Sequence, residues 1–201
     1  MTTIAGIAHR DFIVLGSDQR CSTNNDMLPF IHAPKIEQVG PVWMAAAGSL
    51  VAIDRVRQSI RRYVEGQELY KKDSLKQIAT TASQYVRSFL NTEKKNENPC
   101  DFILAHPYDG VVLTYWDGAV AQVVEVEPFA IGSGAAYALG AMYSCQREWE
   151  CYKEKWDGSD FEHEKLKVMV CSGIAAACKY DLNSGGVCQL QLIDRKGYKS
   201  L

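Results

Sequence analysis

Thr2 stands directly behind Met1 at the head of a short apolar run, Met1-Thr2-Thr3-Ile4-Ala5-Gly6-Ile7-Ala8. A methionine before so small a residue is one that bacterial-type processing removes. Its removal would leave Thr2 with a hydroxyl and a free amine on the same carbon skeleton, a nucleophile that carries its own base. Such a residue has further needs. Its amine must accept the hydroxyl proton, and an unperturbed α-amine, with a pKa of about 7.7–8.0, is partly neutral near pH 7. A neighbouring ammonium lowers that pKa by like-charge repulsion and stabilises developing negative charge. A buried ammonium in turn needs a carboxylate, and a backbone N–H must face the developing oxyanion. Asp18 and Lys35 lie at strand ends near the first two hairpins. Gly48 lies at a strand-to-helix junction, where the helix dipole favours an incoming anion.

Each of these residues also has an ordinary reading. Thr2 is then a frayed second residue, Lys35 a surface cation and Asp18 a turn cap. Ser133 is an N-cap for a helix starting at 135, and Gly185-Gly186 a turn before the last strand. The four histidines, His9, His32, His106 and His163, show no metal-ligand spacing and read as structural. Cys21 and His32 share a loop but lack an orienting third group, which argues against a thiol nucleophile. Cys171 and Cys178 fall on one helix face and read as core. Glu148, Glu150, Lys153, Glu154 and Lys155 read as a solvated helix face with i,i+4 pairs.

The composition bounds the partners. A chain of 201 residues can bury one sizeable core, and no linker or shift in composition divides it, so a single domain over residues 2–201 is expected. The net charge of −2 gives a phosphate backbone no general attraction, so nucleic acid is not an expected partner. No apolar run approaches a membrane span and no signal peptide is evident. Seven cysteines form no CxxC pair, which points to reduced thiols in a cytoplasmic protein and not to a zinc site.

The elements that must hold these groups follow from hydrophobic period. Residues 2–9 and 12–18 read as a hairpin about Arg10-Asp11. Residues 19–34, polar and with two prolines, read as a loop. Strands at 35–39 and 42–47 turn at Gly40-Pro41. Val42-Trp43-Met44-Ala45-Ala46-Ala47 has no alternation and is expected to be covered on both faces. Leu50, Ile53, Val56, Ile60, Tyr63 and Val64 recur at helical spacing over 50–66, with Ser49 as N-cap and Gly66 as the stop. A second helix follows Asp73-Ser74 with Leu75, Ile78, Ala82, Tyr85, Val86 and Phe89 on one face, and 91–98 reads as a charged loop. Strands are expected at 101–105, 111–116 and 120–126, helices at 135–155 and 161–178, and a last strand at 187–193. Hairpin-linked strands imply antiparallel sheets. Two such sheets, each flanked by a helix pair, bury every apolar face. The expected fold is α+β, a four-layer α/β/β/α sandwich.

Six motifs, in order along the whole chain, carry a resemblance. They are Thr2-Thr3-Ile4, Gly16-Ser17-Asp18-Gln19-Arg20, Lys35, Ala46-Ala47-Gly48-Ser49 with Asp54 beyond, Ile131-Gly132-Ser133-Gly134, and Asp181-Leu182-Asn183-Ser184-Gly185-Gly186. Together they resemble the β-type proteasome subunits and the HslV-type peptidases, which are N-terminal-nucleophile hydrolases. The interval from Asp18 to Lys35 is one residue longer than that family's pattern. The resemblance implies Thr2 as nucleophile and base, Lys35 as its charged neighbour held by Asp18, and Gly48 N–H as the oxyanion donor. It implies that Ser133, Asp181 and Ser184 hold the N-terminus and a proton-relay water, with Arg20 bracing them. Ser22 and Gly48 would pair with an extended substrate, and Ala46 and Leu50 would line the main specificity pocket. It further implies a threonine endopeptidase without cofactor, self-associated into stacked rings that degrade unfolded polypeptides, with an ATP-driven AAA+ unfoldase as partner. The apolar helix residues Trp149, Trp156 and Val170 are open between ring contacts and core. Two other functions stay open: a catalytically silent ring subunit that keeps Met1, and a hydrolase of small amides.

Overall fold

A computed structural model describes residues 2–9, 11–23, 26–32, 34–65, 75–92, 100–115, 117–123, 125–152, 159–194 and 199–200. For 21–23, 26–32, 89–92, 150–152, 159–162 and 199–200 the description is of the backbone. Met1, Gly66, Asp73, Ser74 and Trp156, and residues 93–98 of the loop expected over 91–98, lie outside the described residues.

In chain order the elements are β1 (Thr3–Ala8), β2 (Phe12–Ser17), β3 (Arg20–Thr23), β4 (Asp26–His32), β5 (Ile36–Val39) and β6 (Val42–Gly48). The helices α1 (Leu50–Glu65) and α2 (Leu75–Thr92) follow. Then come β7 (Cys100–His106), β8 (Gly110–Thr114), β9 (Val120–Gln122), β10 (Pro128–Gly132), α3 (Ala135–Tyr152), α4 (Ser159–Tyr180), β11 (Gln189–Asp194) and β12 (Lys199–Ser200). The chain divides into two compact units, residues 1–35 with 125–201, and residues 36–124.

The first unit holds a five-stranded antiparallel sheet in the order β10-β1-β2-β11-β12. Ala5, Ile7, Phe12, Val14 and Leu192 of that sheet pack against Ala138 and Met142 of α3 and Leu166, Met169, Val170, Ile174 and Ala177 of α4. The α4 residues recur at three- and four-residue steps, so one stripe of the helix meets the sheet. Val170 is thus core, and Trp149 is half-buried against the same cluster. Gly16 lets α4 approach, because a Cβ there would fall on the Val170 side chain.

The second unit holds a sheet in the order β5-β6-β7-β8-β9. Val42, Met44, Ala46, Phe102, Leu104 and Val112 pack against Ala52, Val56 and Ile60 of α1 and Leu75, Ile78, Ala79, Ala82 and Val86 of α2. Val42–Ala47 are all buried, as the lack of alternation predicts. Tyr85, expected on the buried face of α2, is 36% exposed and lies 3.4 Å from Arg62 Nη1.

Several segments differ from the sequence reading, β10 and β12 among them, neither of which was expected. Residues 20–23 and 26–32 form the paired strands β3 and β4 where a loop is expected. Their register jumps: Arg20 pairs with His32 but Cys21 pairs with Leu28. Residues 29–31 therefore bulge, and Pro29, which has no N–H for a ladder, sits in the bulge. The strand expected over 120–126 stops at Gln122. Val126 has φ 66, outside strand geometry, and the chain then runs on as β10 beside β1.

Candidate active site

The ladder between β1 and β2 sets Thr3 beside Asp18. Asp18 N–H donates to Thr3 O at 3.1 Å, and Thr3 N–H donates back to Asp18 Oδ1 at 2.9 Å. Lys35, one residue before β5, donates from Nζ to the same Oδ1 at 2.6 Å and to Arg20 O at 2.7 Å. Asp18 Oδ2 accepts from Gly185 N–H at 3.0 Å and Arg20 N–H at 3.2 Å. Asp18 is fully buried, and the Lys35 side chain is 7% exposed. A buried carboxylate is tolerated only when its lone pairs are filled. Here one ammonium and three backbone N–H groups fill them.

A second cluster lies on the other side of the first residues. Pairing of Thr3 with Gly132 in the β1–β10 ladder brings Ser133 to Thr2, and Ser133 N–H donates to Thr2 O at 3.1 Å. Asp181 directly follows α4, and its Oδ2 accepts from Ser133 Oγ and from Ser184 Oγ, both at 2.6 Å. Its Oδ1 accepts from Asn183 N–H at 3.2 Å and Asn183 Nδ2 at 3.3 Å. Burial pushes the Asp181 carboxyl up, but the bonds from Ser133, Ser184 and Asn183 outweigh it and hold the group below its usual value of 3.8. Thr3 Oγ1 lies 2.6 Å from Ser184 Oγ, and both residues are fully buried. Arg20 Nη1 donates to Leu182 O at 2.8 Å, and Gln19 N–H and Arg20 N–H share Gly185 O.

Of the residues singled out from the sequence, Asp18, Arg20, Lys35, Ser133, Asp181 and Ser184 thus meet in one network flanking Thr2, which is half-buried. Ser22 lies in β3, paired with Met27. Gly48, Ala46 and Leu50 belong to the second unit. Gly48 ends β6 with φ 134, a value that favours glycine. Ser49 O accepts the first helical bond, from Ile53 N–H at 2.9 Å, so Ser49 occupies the N-cap position of α1. Ala46 is buried in the helix-side core, and Leu50, in the first turn of α1, is 67% exposed.

Sequence reasoning named Thr3, Gly134 and Gly185 within motifs but gave them no role in the site. A Cβ on Gly134 would fall on Thr3 Oγ1 and stand 2.8 Å from Ala177 Cβ. A Cβ on Gly185 would fall on the Arg20 guanidinium. The signals were the doubled threonine, the glycine-bracketed Ser133 and the Ser184-Gly185-Gly186 run, which local pattern alone does not explain. Three of the thiols fit a nucleophile poorly: burial pushes Cys100 up to about 12 and also raises Cys178 and Cys188. Among the described residues no group of three or more His, Cys, Asp or Glu side chains is placed to hold a metal ion.

With this geometry in view, comparison with known proteins decides the family. The family model described as proteasome subunit matches residues 1–191. The chain belongs to the proteasome subunit family. The proteasome subunit beta 1 of Thermococcus kodakarensis is 28% identical over 205 residues, covering 98% of this chain and 91% of that protein. The proteasome subunit beta of Nanoarchaeum equitans is 25% identical over 150 residues, covering 71% of this chain and 72% of that one. Among solved structures, the eukaryotic HslV of Trypanosoma brucei superposes with a TM-score of 0.72 at 16% identity, over 96% of this chain and 99% of that one. The BPH protein of Thiobacillus denitrificans in complex with epoxomicin superposes with a TM-score of 0.65 at 18% identity, over 96% and 98%. These likenesses show the fold expected above, that of the N-terminal-nucleophile hydrolases. The family is one of threonine peptidases assembled in rings. No helix among the described residues of this proteasome-family chain is long and apolar enough to cross a membrane.

Proposed function

We propose that this chain is an active threonine endopeptidase, one domain over residues 2–201, that works inside a ring of its own copies on unfolded polypeptides. The observation that carries the reading is the buried Lys35–Asp18 pair, joined through Thr3 to the Asp181 cluster on either side of Thr2. With Met1 removed, Thr2 Oγ attacks the scissile carbonyl carbon while the Thr2 amine takes the hydroxyl proton. The Lys35 ammonium favours the neutral amine and the developing negative charge. Gly48 N–H donates to the oxyanion. The C–N bond then breaks, and the amine's proton goes to the leaving nitrogen. Water, deprotonated by the same amine, attacks the ester and frees Thr2. Ser133, Asp181 and Ser184 hold the N-terminus, Arg20 braces them, and Ser22, Gly48, Ala46 and Leu50 meet the substrate. The chemistry calls on no cofactor. An ATP-driven unfoldase feeding the ring, a cytoplasmic setting, and no nucleic-acid or membrane partner complete the reading.

The test is cleavage of an unstructured protein by the purified assembly, with its intact mass. Thr2→Ala is expected to abolish cleavage, and epoxomicin to leave an adduct on Thr2 in wild type alone. A chain that keeps Met1, takes no adduct and cleaves nothing is instead a silent ring subunit. Turnover of small amides with no cleavage of protein would make it an amidohydrolase.

A further inference from the structure

Ser184 Oγ is 2.6 Å from Thr3 Oγ1 and 2.6 Å from Asp181 Oδ2. A hydroxyl has one hydrogen, and an ionised carboxylate only accepts. Ser184 therefore gives its hydrogen to Asp181, and Thr3 must be the donor to Ser184. Ser133 also gives its hydrogen to Asp181 Oδ2. The hydroxyl hydrogens of Thr3, Ser184 and Ser133 thus all run toward one carboxylate, and each serine oxygen keeps at least one lone pair to accept a further bond. Thr3 and Ser184 are fully buried, so water does not compete for the bond between them. The Thr3 N–H meanwhile lies on Asp18 Oδ1, the atom that holds Lys35. Gly134 leaves the space in which the Thr3 hydroxyl stands.

We infer that Thr3 is a positioning residue of this site: its hydroxyl sets the direction of the hydrogen-bond chain through Ser184 to Asp181, and its amide ties that chain to the Asp18–Lys35 pair. The inference rests on the reading of Thr2 as nucleophile, since a chain of fixed direction matters by presenting acceptors to the Thr2 amine. Without the Thr3 donor, Ser184 is polarised less strongly toward Asp181, the carboxylate is held less well, and it takes up a proton at higher pH.

The test compares Thr3→Val and Thr3→Ser in the assembled protein. Thr3→Val is expected to lower kcat at least tenfold with KM within twofold, and to raise the apparent pKa of the acid limb of kcat. Thr3→Ser, which keeps the donor, is expected to restore both. The titration of the Asp181 carboxyl carbon, followed by NMR, reads the same change without turnover: its midpoint rises in Thr3→Val and returns in Thr3→Ser. An unchanged midpoint in Thr3→Val, or a Thr3→Ser protein as impaired as Thr3→Val, overturns the inference. If Thr3→Val does not fold, Thr3→Cys replaces it; its thiol is a weak donor and the midpoint must lie between wild type and a Ser184→Ala variant, or the inference fails. Thr2→Ala in the same assay separates the two claims: full turnover there defeats the nucleophile reading, while the Asp181 midpoint still decides the role of Thr3.

Discussion

Gly185 N–H donates to Asp18 Oδ2 at 3.0 Å, across 167 positions of the chain. This bond fastens the segment after α4 to the end of β2, and with it Ser184 and Asp181 to the carboxylate that holds Lys35. Backbone N–H groups carry no charge and need no side-chain ordering, so they fill the lone pairs of Asp18 at little entropic cost. A Cβ at 185 would meet the Arg20 guanidinium.

Gly134→Ala and Gly185→Ala are expected to differ in severity. At 134 the new methyl meets Thr3 Oγ1, Ala177 Cβ and Ser184 Oγ, all fixed by β1, α4 and the hydrogen-bond chain. Overpacking of this kind costs ~1–3 kcal/mol. At 185 it meets the far end of a flexible arginine, which can swing away and lose only its bond to Leu182 O. Denaturant midpoints should therefore fall further for Gly134→Ala. The reverse order would show that the strand, not the arginine, is the part that yields.

Lys35→Met removes the ammonium from a fully buried carboxylate. Breaking a buried pair from one side costs ~3–5 kcal/mol, and the three backbone donors left on Asp18 place the expected loss near the lower end. Turnover should vanish as well. Adding Asp18→Asn should recover part of the stability and none of the activity, as read by equilibrium unfolding and a peptide cleavage assay. Additive losses in the double variant would contradict the pairing.

Asp181 contributes to stability on the acid side. Its folded pKa lies below the ordinary 3.8, so its contribution is fully present above that value and is lost as pH falls through the lower, folded pKa. Between pH 5 and pH 2, Tm of the wild type should drop more steeply than Tm of Asp181→Asn, and the two curves should run parallel above about pH 5. Parallel curves throughout would mean that the serines do not stabilise the charged form.

Val126 has φ 66 and is 46% exposed. A β-branched residue in the left-handed region costs on the order of 1–3 kcal/mol. Val126→Asn relieves that strain, keeps the N–H that donates to Ala8 O at 2.7 Å, and gives up little packing. The expected gain is ~1 kcal/mol, or ~2–4 °C in Tm for a chain of this size. A lower Tm would place the value of Val126 in a contact made by its side chain.

Much of this protein was legible in its sequence because the relevant signals are local. The helical spacing of Ala52, Val56 and Ile60, the unalternating run Val42–Ala47, and the turns at Gly40-Pro41 and Asp117-Gly118 each follow from neighbours within a few positions. The choice of Thr2, Asp18 and Lys35 rested on residue types that suit one chemistry, and that of Ser133, Asp181 and Ser184 on the resemblance carried by six motifs along the chain. What the tertiary structure alone decided is pairing at a distance. The crossing of β10 to lie beside β1, the bulge that admits Pro29 into β4, and the place of Thr3 between Asp18 and Ser184 depend on register and on contacts up to 181 residues apart. Local propensity cannot reach that far: a threonine in a strand looks the same whether its hydroxyl meets water or, as here, the buried oxygen of Ser184.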